Sequence, residues 1–507
     1  MKAARWPAIV VIVALVVAAF VFGDGSREPA LSSTRDTALL GPIVAKADAM
    51  SALWFCNGGT SVDKGLADHH VVLVNTTDAE RAGSLTVYAS RTAAGARPQP
   101  VRKTWTLAPR ARVEYRLAEV VGQAPYASAT VEVAGGGVLV EHSVVGPAGT
   151  DRGPCASTAS STWYVPVGTT ATVGDAPVAR EVLVFFNPFP GDAVVDVAFS
   201  TDTGFRGTPE VFKGLVVPGG SVVGVDLATA GVAVAAEVAA VATTRSGRIV
   251  VDRLQVFNDA QTRKGIALSS GIGAAAPAWV FAAGRLGGGR QERVVVYNPN
   301  QEPAEVDVEI RPQDSAIAVE PFQLTVRPGQ HSQLDLHAEP RLGALVAAGA
   351  AYTLVVRSAD GSAIVAERLV TVAPGSPDAG VAVSTGAAVA ATRLFADVVD
   401  ADQAASSLLL VNPNVKSIAQ IRLVVLAGGV AVTPAKYATV ELQPGARLAV
   451  PLADLGRGTF TVIIEATAPV VAERELVGAA DRAVAAAVPD SASVSLVDLG
   501  GLVSLGK

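Results

Sequence analysis

Short apolar runs stopped by turn residues recur along most of the chain. "VLVNTT" at 72–77, "VFFNPF" at 184–189, "VVYNPN" at 295–300 and "LLVNPN" at 409–414 all end in an asparagine followed by a turn. The four asparagines, Asn75, Asn187, Asn298 and Asn412, lie 112, 111 and 114 residues apart. The runs are short, rich in valine and punctuated by proline and glycine, which reads as β-strand rather than buried helix. Between 158 and 262 the candidates are 162–167, 181–187, 193–199, 211–217, 221–227, 237–243 and 249–256. Their number and spacing predict an antiparallel β-sandwich. An array of Rossmann units would need helices of 10–15 residues between strands, and the pattern has none. An asparagine closing a strand can bond nearby backbone, and a proline beside it stops the ladder.

Other landmarks keep the same register. Trp54, Trp163 and Trp279 precede the first three asparagines, and Phe395 takes that place before the fourth. Proline turns follow in "TLAPRARVEYRL", "LVVPGGSVVGVDL", "LTVRPGQHSQLDL" and "VELQPGARLAVPL". Each unit then closes on an acidic residue, Glu141, Asp252, Glu367 or Glu473, followed by His142, Arg253, Arg368 or Arg474. Such an order, repeated four times, is an internal repeat of domain size. The large apolar area of the aromatics places them in or beside a core rather than against carbohydrate. Adjacent strand residues point to opposite faces, so each acid is expected to find its partner across the interior or across a domain seam.

These landmarks predict an all-β chain of four tandem immunoglobulin-like antiparallel sandwiches after an N-terminal helix. The units are placed at 51–157, 158–262, 263–382 and 383–507, the last with a C-terminal tail. They are expected to lie end to end over roughly 150 Å, or to fold back on one another.

The first 23 residues change the picture of place. Lys2 and Arg5 precede an uncharged apolar run from Pro7 to Phe22, with no clean small-x-small cleavage pattern after it. That reads as an uncleaved membrane-spanning anchor, with a cleaved secretion signal as the alternative, followed by a linker at 24–50. Basic residues stay on the cytoplasmic side, so either version carries the bulk of the chain outward. An exported chain meets an oxidising compartment, so Cys56 and Cys155 are expected to form a disulfide rather than remain two structural thiols. With 40 basic and 46 acidic residues, and no basic cluster, the chain lacks the footprint of a nucleic-acid binder.

The basic start with its apolar run, Trp54-x-Cys56, the "NP" strand ends and the "ERxLV"-like closures resemble an actinobacterial family of unknown function, DUF5719. The resemblance implies an exported or envelope-associated protein and brings no established activity, substrate or catalytic residue.

Chemistry is scarce. No phosphate loop stands in its strand–loop–helix setting, and no serine sits in a nucleophile elbow. The histidines, His69, His70, His142, His331 and His337, show no ligand spacing with the cysteines, so no metal or other cofactor is expected. His69 and His70 read as a solvated strand edge. Asp63, Asp68, Asp196, Asp202 and Asp252 are candidate glycosidase carboxylates, but spacing selects no pair. No catalytic residue is assigned. The expectation is a non-enzymatic extracytoplasmic envelope protein, single-pass in the cell membrane or else secreted, that scaffolds or docks another envelope protein. A cell-wall polysaccharide-binding array and an envelope glycan hydrolase are the alternatives.

Overall fold

The computed structural model describes residues 34–499, apart from short stretches at 63–64, 92–94, 97, 174–175, 178, 260–262, 314–317, 377, 400–404 and 479–480. The expected anchor or signal at 1–23 lies outside the described residues, and no described helix is long and apolar enough to cross a membrane. The described chain is almost entirely β, in several antiparallel sheets.

Sheet order recurs along the chain. In the first unit, Ser51–Gly59, Ala127–Ala134, Arg81–Ala89 and Val101–Leu107 form one sheet, in that spatial order. Arg112–Arg116, Asp68–Asn75, Val138–Gly146 and Gly149–Pro154 form the other. The third unit repeats this as Ala278–Arg285, Ala351–Ser358, Ala304–Pro312 and Phe322–Val326 against His331–Asp335, Arg290–Tyr297, Val365–Val372 and Gly380–Thr385. The second follows the same order with small additions. In the fourth, a single strand, Phe460–Val477, passes from one sheet into the other. It pairs first with Val389–Val398 and then with Ser407–Val411.

The two sheets of each unit differ in sequence because they differ in surroundings. Ala193–Thr201, Ala304–Pro312 and Ala419–Ala427 alternate buried with more exposed positions over much of their length. They belong to outer sheets with one face near solvent. Val365–Val372 is buried at every position. It belongs to an inner sheet covered by its own outer sheet on one side and by neighbouring units on the other.

The inner sheets each end in a strand near a common axis: Gly149–Pro154, Arg263–Ser270, Gly380–Thr385 and Arg482–Ala486. The first lies against the second, the second against the third, the third against the fourth, and the fourth against the first. The units therefore close into a ring instead of extending as a rod. Apolar clusters span the joins. Phe55 and Val144 pack with the second unit, and Val167 and Phe257 pack with Leu369 and Val381. Val280 and Val355 pack with Leu409 and Val471, and Phe395 and Ile463 join the first unit's core.

The topology moves the expected boundaries. Arg263–Ser270 pairs with Val250–Asp259, so it completes the second unit rather than opening the third. Gly380–Thr385 likewise belongs wholly to the third. These last strands escaped the sequence reading because they carry no landmark. The expected linker at 24–50 is corrected over its described part. Thr34–Leu40 is helical, and Val44 bonds Pro489 and Ser491 through its backbone. Gly137 N donates to Ala45 O, so this stretch joins the fourth unit to the first. In the tail, Val494–Leu496 pairs with Val389–Ala391.

All four asparagines are buried and make one hydrogen-bond pattern. Their Nδ2 atoms donate forward to the carbonyls of Ala79, Gly191, Glu302 and Ser417, at 2.7–2.8 Å. They also donate across to the carbonyls of Ala108, Val217, Val326 and Leu442, just before the proline turns. Each Oδ1 accepts from the backbone N–H two residues on. The motif is architectural: it staples a loop to the neighbouring strand end. The turns it holds need a left-handed residue, supplied by Gly220, Gly329 and Gly445 at φ of +62°, +62° and +70°, and by Arg110 at +58°. Asn298→Ala is expected to lower stability by about 2–4 kcal/mol, since it leaves buried carbonyl and N–H groups unpaired. The shift in the urea midpoint checks this.

Candidate functional site

The recurring acid and base residues meet at the joins. In the second, third and fourth units strand alternation turns the base toward the neighbouring unit, where it finds that unit's acid. Arg253 Nη1 lies 3.0 Å from Glu367 Oε2. Arg368 Nη2 lies 3.4 Å from Glu473 Oε2. Arg474 Nη2 lies 2.6 Å from Glu141 Oε2, which joins the last unit to the first. Two of the three acids also accept a close backbone N–H from the preceding unit: Val167 to Glu367 at 2.9 Å and Ala283 to Glu473 at 2.6 Å. Arg253 and Arg474 bond back to carbonyls of their own units, Val167 and Asp397. These pairs are buried, so each ion depends on its partner.

Further charges thicken these seams, with Arg293 paired to Glu237 between the second and third units. Arg290 reaches Glu292 at 2.5 Å and Glu475 at 2.7 Å. Burial opposes the charge on Glu475, but Arg290 and Arg482 outweigh it and hold the carboxyl down to about 2. Asp397 receives Arg112 at 3.2 Å and Thr461 Oγ1 at 2.9 Å, with Arg152 at 3.6 Å.

The seam from the first unit to the second is built differently. His142 stands where the others have arginine, and Asp252 where they have glutamate. His142 turns into its own unit, with Nδ1 3.2 Å from His69 Nε2. Asp252 accepts from Ser270 Oγ at 3.3 Å, with the Asn57 side chain of the first unit beside it. The Asn57 amide donates across the seam to Val184 O at 2.7 Å. Burial pushes Asp252 up to about 7, against the lowering effect of Ser270 and Asn57. Nearby, Asp151 accepts the backbone N–H of Leu268 across the same seam at 2.7 Å. Burial lifts it to about 8, offset only in part by the Leu268 and Arg152 amides.

The axis holds a cavity of about 130 Å³ with mostly apolar walls, among them Leu268, Ile272, Val383 and Val484. Residues 38–42 line it on one side, and His142, Arg152 and Ser270 contribute polar groups.

A family model described as a family of unknown function, DUF5719, matches residues 47–252 and again 255–500. The chain belongs to this family. Each DUF5719 match spans about two of the four units. Among curated proteins none matches the sequence. The structure of Thermotoga maritima 1070 is 12% identical with a TM-score of 0.19, covering 22% of this chain and 92% of that one. The BSP domain of a biofilm-associated protein is 7% identical with a TM-score of 0.13, covering 89% of this chain and 98% of that one. Both likenesses are too distant to carry an argument.

The other residues singled out in this DUF5719 chain have plain places. Cys56 and Cys155 form a disulfide, which ties Ser51–Gly59 to the end of the inner strand Gly149–Pro154. Trp54, Trp163 and Trp279 are buried at the same strand position of their units. Phe395 is also buried but stands one place further on, in register with Phe55, Tyr164 and Val280, and Leu394 takes the tryptophan's place in the fourth unit. Trp163 and Trp279 donate to the carbonyls of Ile249 and Ile364, at 2.9 and 2.8 Å. His69 corrects the reading of a solvated edge: it is fully buried, and burial lowers it to about 4. His70, half-buried, bonds Glu114 at 3.0 Å. Of the candidate carboxylates, Asp63 lies outside the described residues. Asp68 pairs with Arg116, Asp196 with Arg245, and Asp202 accepts from Glu237 N. Asp252 is sealed in its seam, and no two of these four are brought together. Among the described residues, no group of three or more His, Cys, Asp or Glu could hold a metal ion. The residues missed from sequence were Asn57, Asp151, Glu292, Asp397 and Glu475. Their signal was weak but present: a polar residue inside or beside an otherwise apolar run.

Proposed function

We propose that the protein is a non-enzymatic extracytoplasmic component of the cell envelope, a rigid ring that scaffolds or docks another envelope protein. In this reading the four units are copies of one immunoglobulin-like sandwich design. The apolar run at 7–22 then anchors the ring to the membrane, with release by cleavage as the alternative. The observation that carries the proposal is where the recurring charges go. Glu141, Glu367 and Glu473 are buried against arginines of neighbouring units, so they serve cohesion and are not presented to a substrate. The disulfide supports an oxidising compartment. A polysaccharide-binding array draws no support from Trp54, Trp163 and Trp279, which are buried and cannot stack on a sugar.

Labelling intact cells with a membrane-impermeant amine reagent tests the location. Exposed Lys46, Lys213 and Lys436 should react before lysis, and reaction only after lysis would defeat the reading. Crosslinking in the native envelope tests the docking role. Adducts should map to outer-sheet residues and name the same protein neighbour in repeated preparations.

A further inference from the structure

We infer that the ring opens at one place, the seam between the first and second units, and that ionisation of two buried carboxyl groups opens it. The inference starts from the comparison of four equivalent joins. Three carry a buried arginine–glutamate pair across them. At the remaining join the residues are His142 and Asp252, and neither Asp252 nor Asp151 has a salt bridge within 4.0 Å among the described residues. The geometry accommodates this change. Gly58 lies where Val167 and Ala283 lie in two other units, counted from the tryptophan. A Cβ on Gly58 would stand 2.4 Å from Leu268 Cδ1 and 3.2 Å from Asp252 Cβ, so glycine lets the two units approach. Asp252 Oδ1 is buried without a hydrogen-bond partner. The seam is closed by neutral polar contacts where the others are closed by ion pairs.

The groups around each carboxyl set the sign. Asp252 faces Ser270 on its own sheet and Asn57 from the first unit. His142 and His69 lie deeper in the first unit and are held neutral by burial. Asp151 faces the Leu268 amide, with Arg152 and Arg474 as the surrounding cations. Burial raises both carboxyls in the closed ring, and wetting returns them toward the ordinary carboxyl range. Closure is therefore fully stabilised below the ordinary carboxyl range near 4. It weakens as pH rises, up to about 7 for Asp252 and about 8 for Asp151. His70 is raised from the ordinary histidine value by its bond to Glu114, but that pair lies within the first unit and does not cross the seam. The opening constant of this seam should rise about sixtyfold between pH 6.5 and pH 8.

Hydrogen exchange of the whole protein at pH 6.5 and pH 8, corrected for the intrinsic pH dependence of exchange, reads this directly. Peptides covering 51–59, 250–259 and 263–270 should lose protection at pH 8, while those covering 365–372 and 467–477 keep theirs. Equal protection at all four seams, or earlier loss at another seam, would overturn the inference. The double variant Asp151→Asn with Asp252→Asn removes both ionisations and should keep the seam protected at pH 8. Loss of protection in that folded variant would also overturn it. The wild-type pH comparison stands alone if the variant does not fold.

Discussion

Arg474→Met is expected to destabilise the protein by about 3–5 kcal/mol, because it strands Glu141 as a buried charge without its partner. Arg474 is the residue through which the last unit holds the first, and it is buried with Glu141 at 2.6 Å. It also donates to the Asp397 carbonyl, so its loss unties the first strand of the fourth unit. Glu141→Gln in the same chain should restore part of the loss, since a neutral amide at 141 needs no counter-charge. Urea unfolding measures both. Arg245→Met provides the contrast: Arg245 pairs with Asp196 in solvent, and its loss should barely move the midpoint. Equal shifts for Arg474→Met and Arg245→Met would show that the ring is not held at this seam.

The second large effect concerns the disulfide. Replacing Cys56 and Cys155 together by alanine should cost about 2–5 kcal/mol, since the bond closes a long loop in the unfolded chain. The two residues are 99 apart, close to the whole first unit. Both are fully buried, and they tie an outer-sheet strand to the innermost strand of the same unit. The first unit is also the one whose forward seam lacks an arginine, so the bond braces the strand that carries Asn57 and Gly58. Urea midpoints of the oxidised protein and the alanine pair should separate clearly. A difference below about 1 kcal/mol would mean that packing alone holds this unit.

Much of the fold was legible because its signals are local. Asn75, Asn187, Asn298 and Asn412 bond groups within a turn and the adjoining strand, so their role can be read from a few neighbouring residues. The strands before them were found for the same reason. Thr34–Leu40 and residues 41–50 carry no local signal, because their order comes from distant partners such as Pro489 and Ser491. His69 looked like an edge residue beside His70, yet it bonds Ala127 O and His142 inside the first unit. No spacing rule reports a contact of that kind.

The sequence by itself determined the β-class, the recurring strand-end pattern and the position of the acid–base landmarks, which follow from local periodicity and turn chemistry, and the cysteine pair, which follows from a count of two in a chain read as exported. It also carries a signal of assembly. A strand such as Val365–Val372, buried at every position and apolar apart from Glu367, Arg368 and Thr371, needs a cover on each side. Only the tertiary structure decided what that cover is. It brings the fourth unit back to the first and sets Arg474 against Glu141. It also leaves His142 and Asp252 to close the one seam without an arginine–glutamate pair. Partner choice between buried charges depends on distances across the ring, and a linear chain does not encode those distances in any short motif.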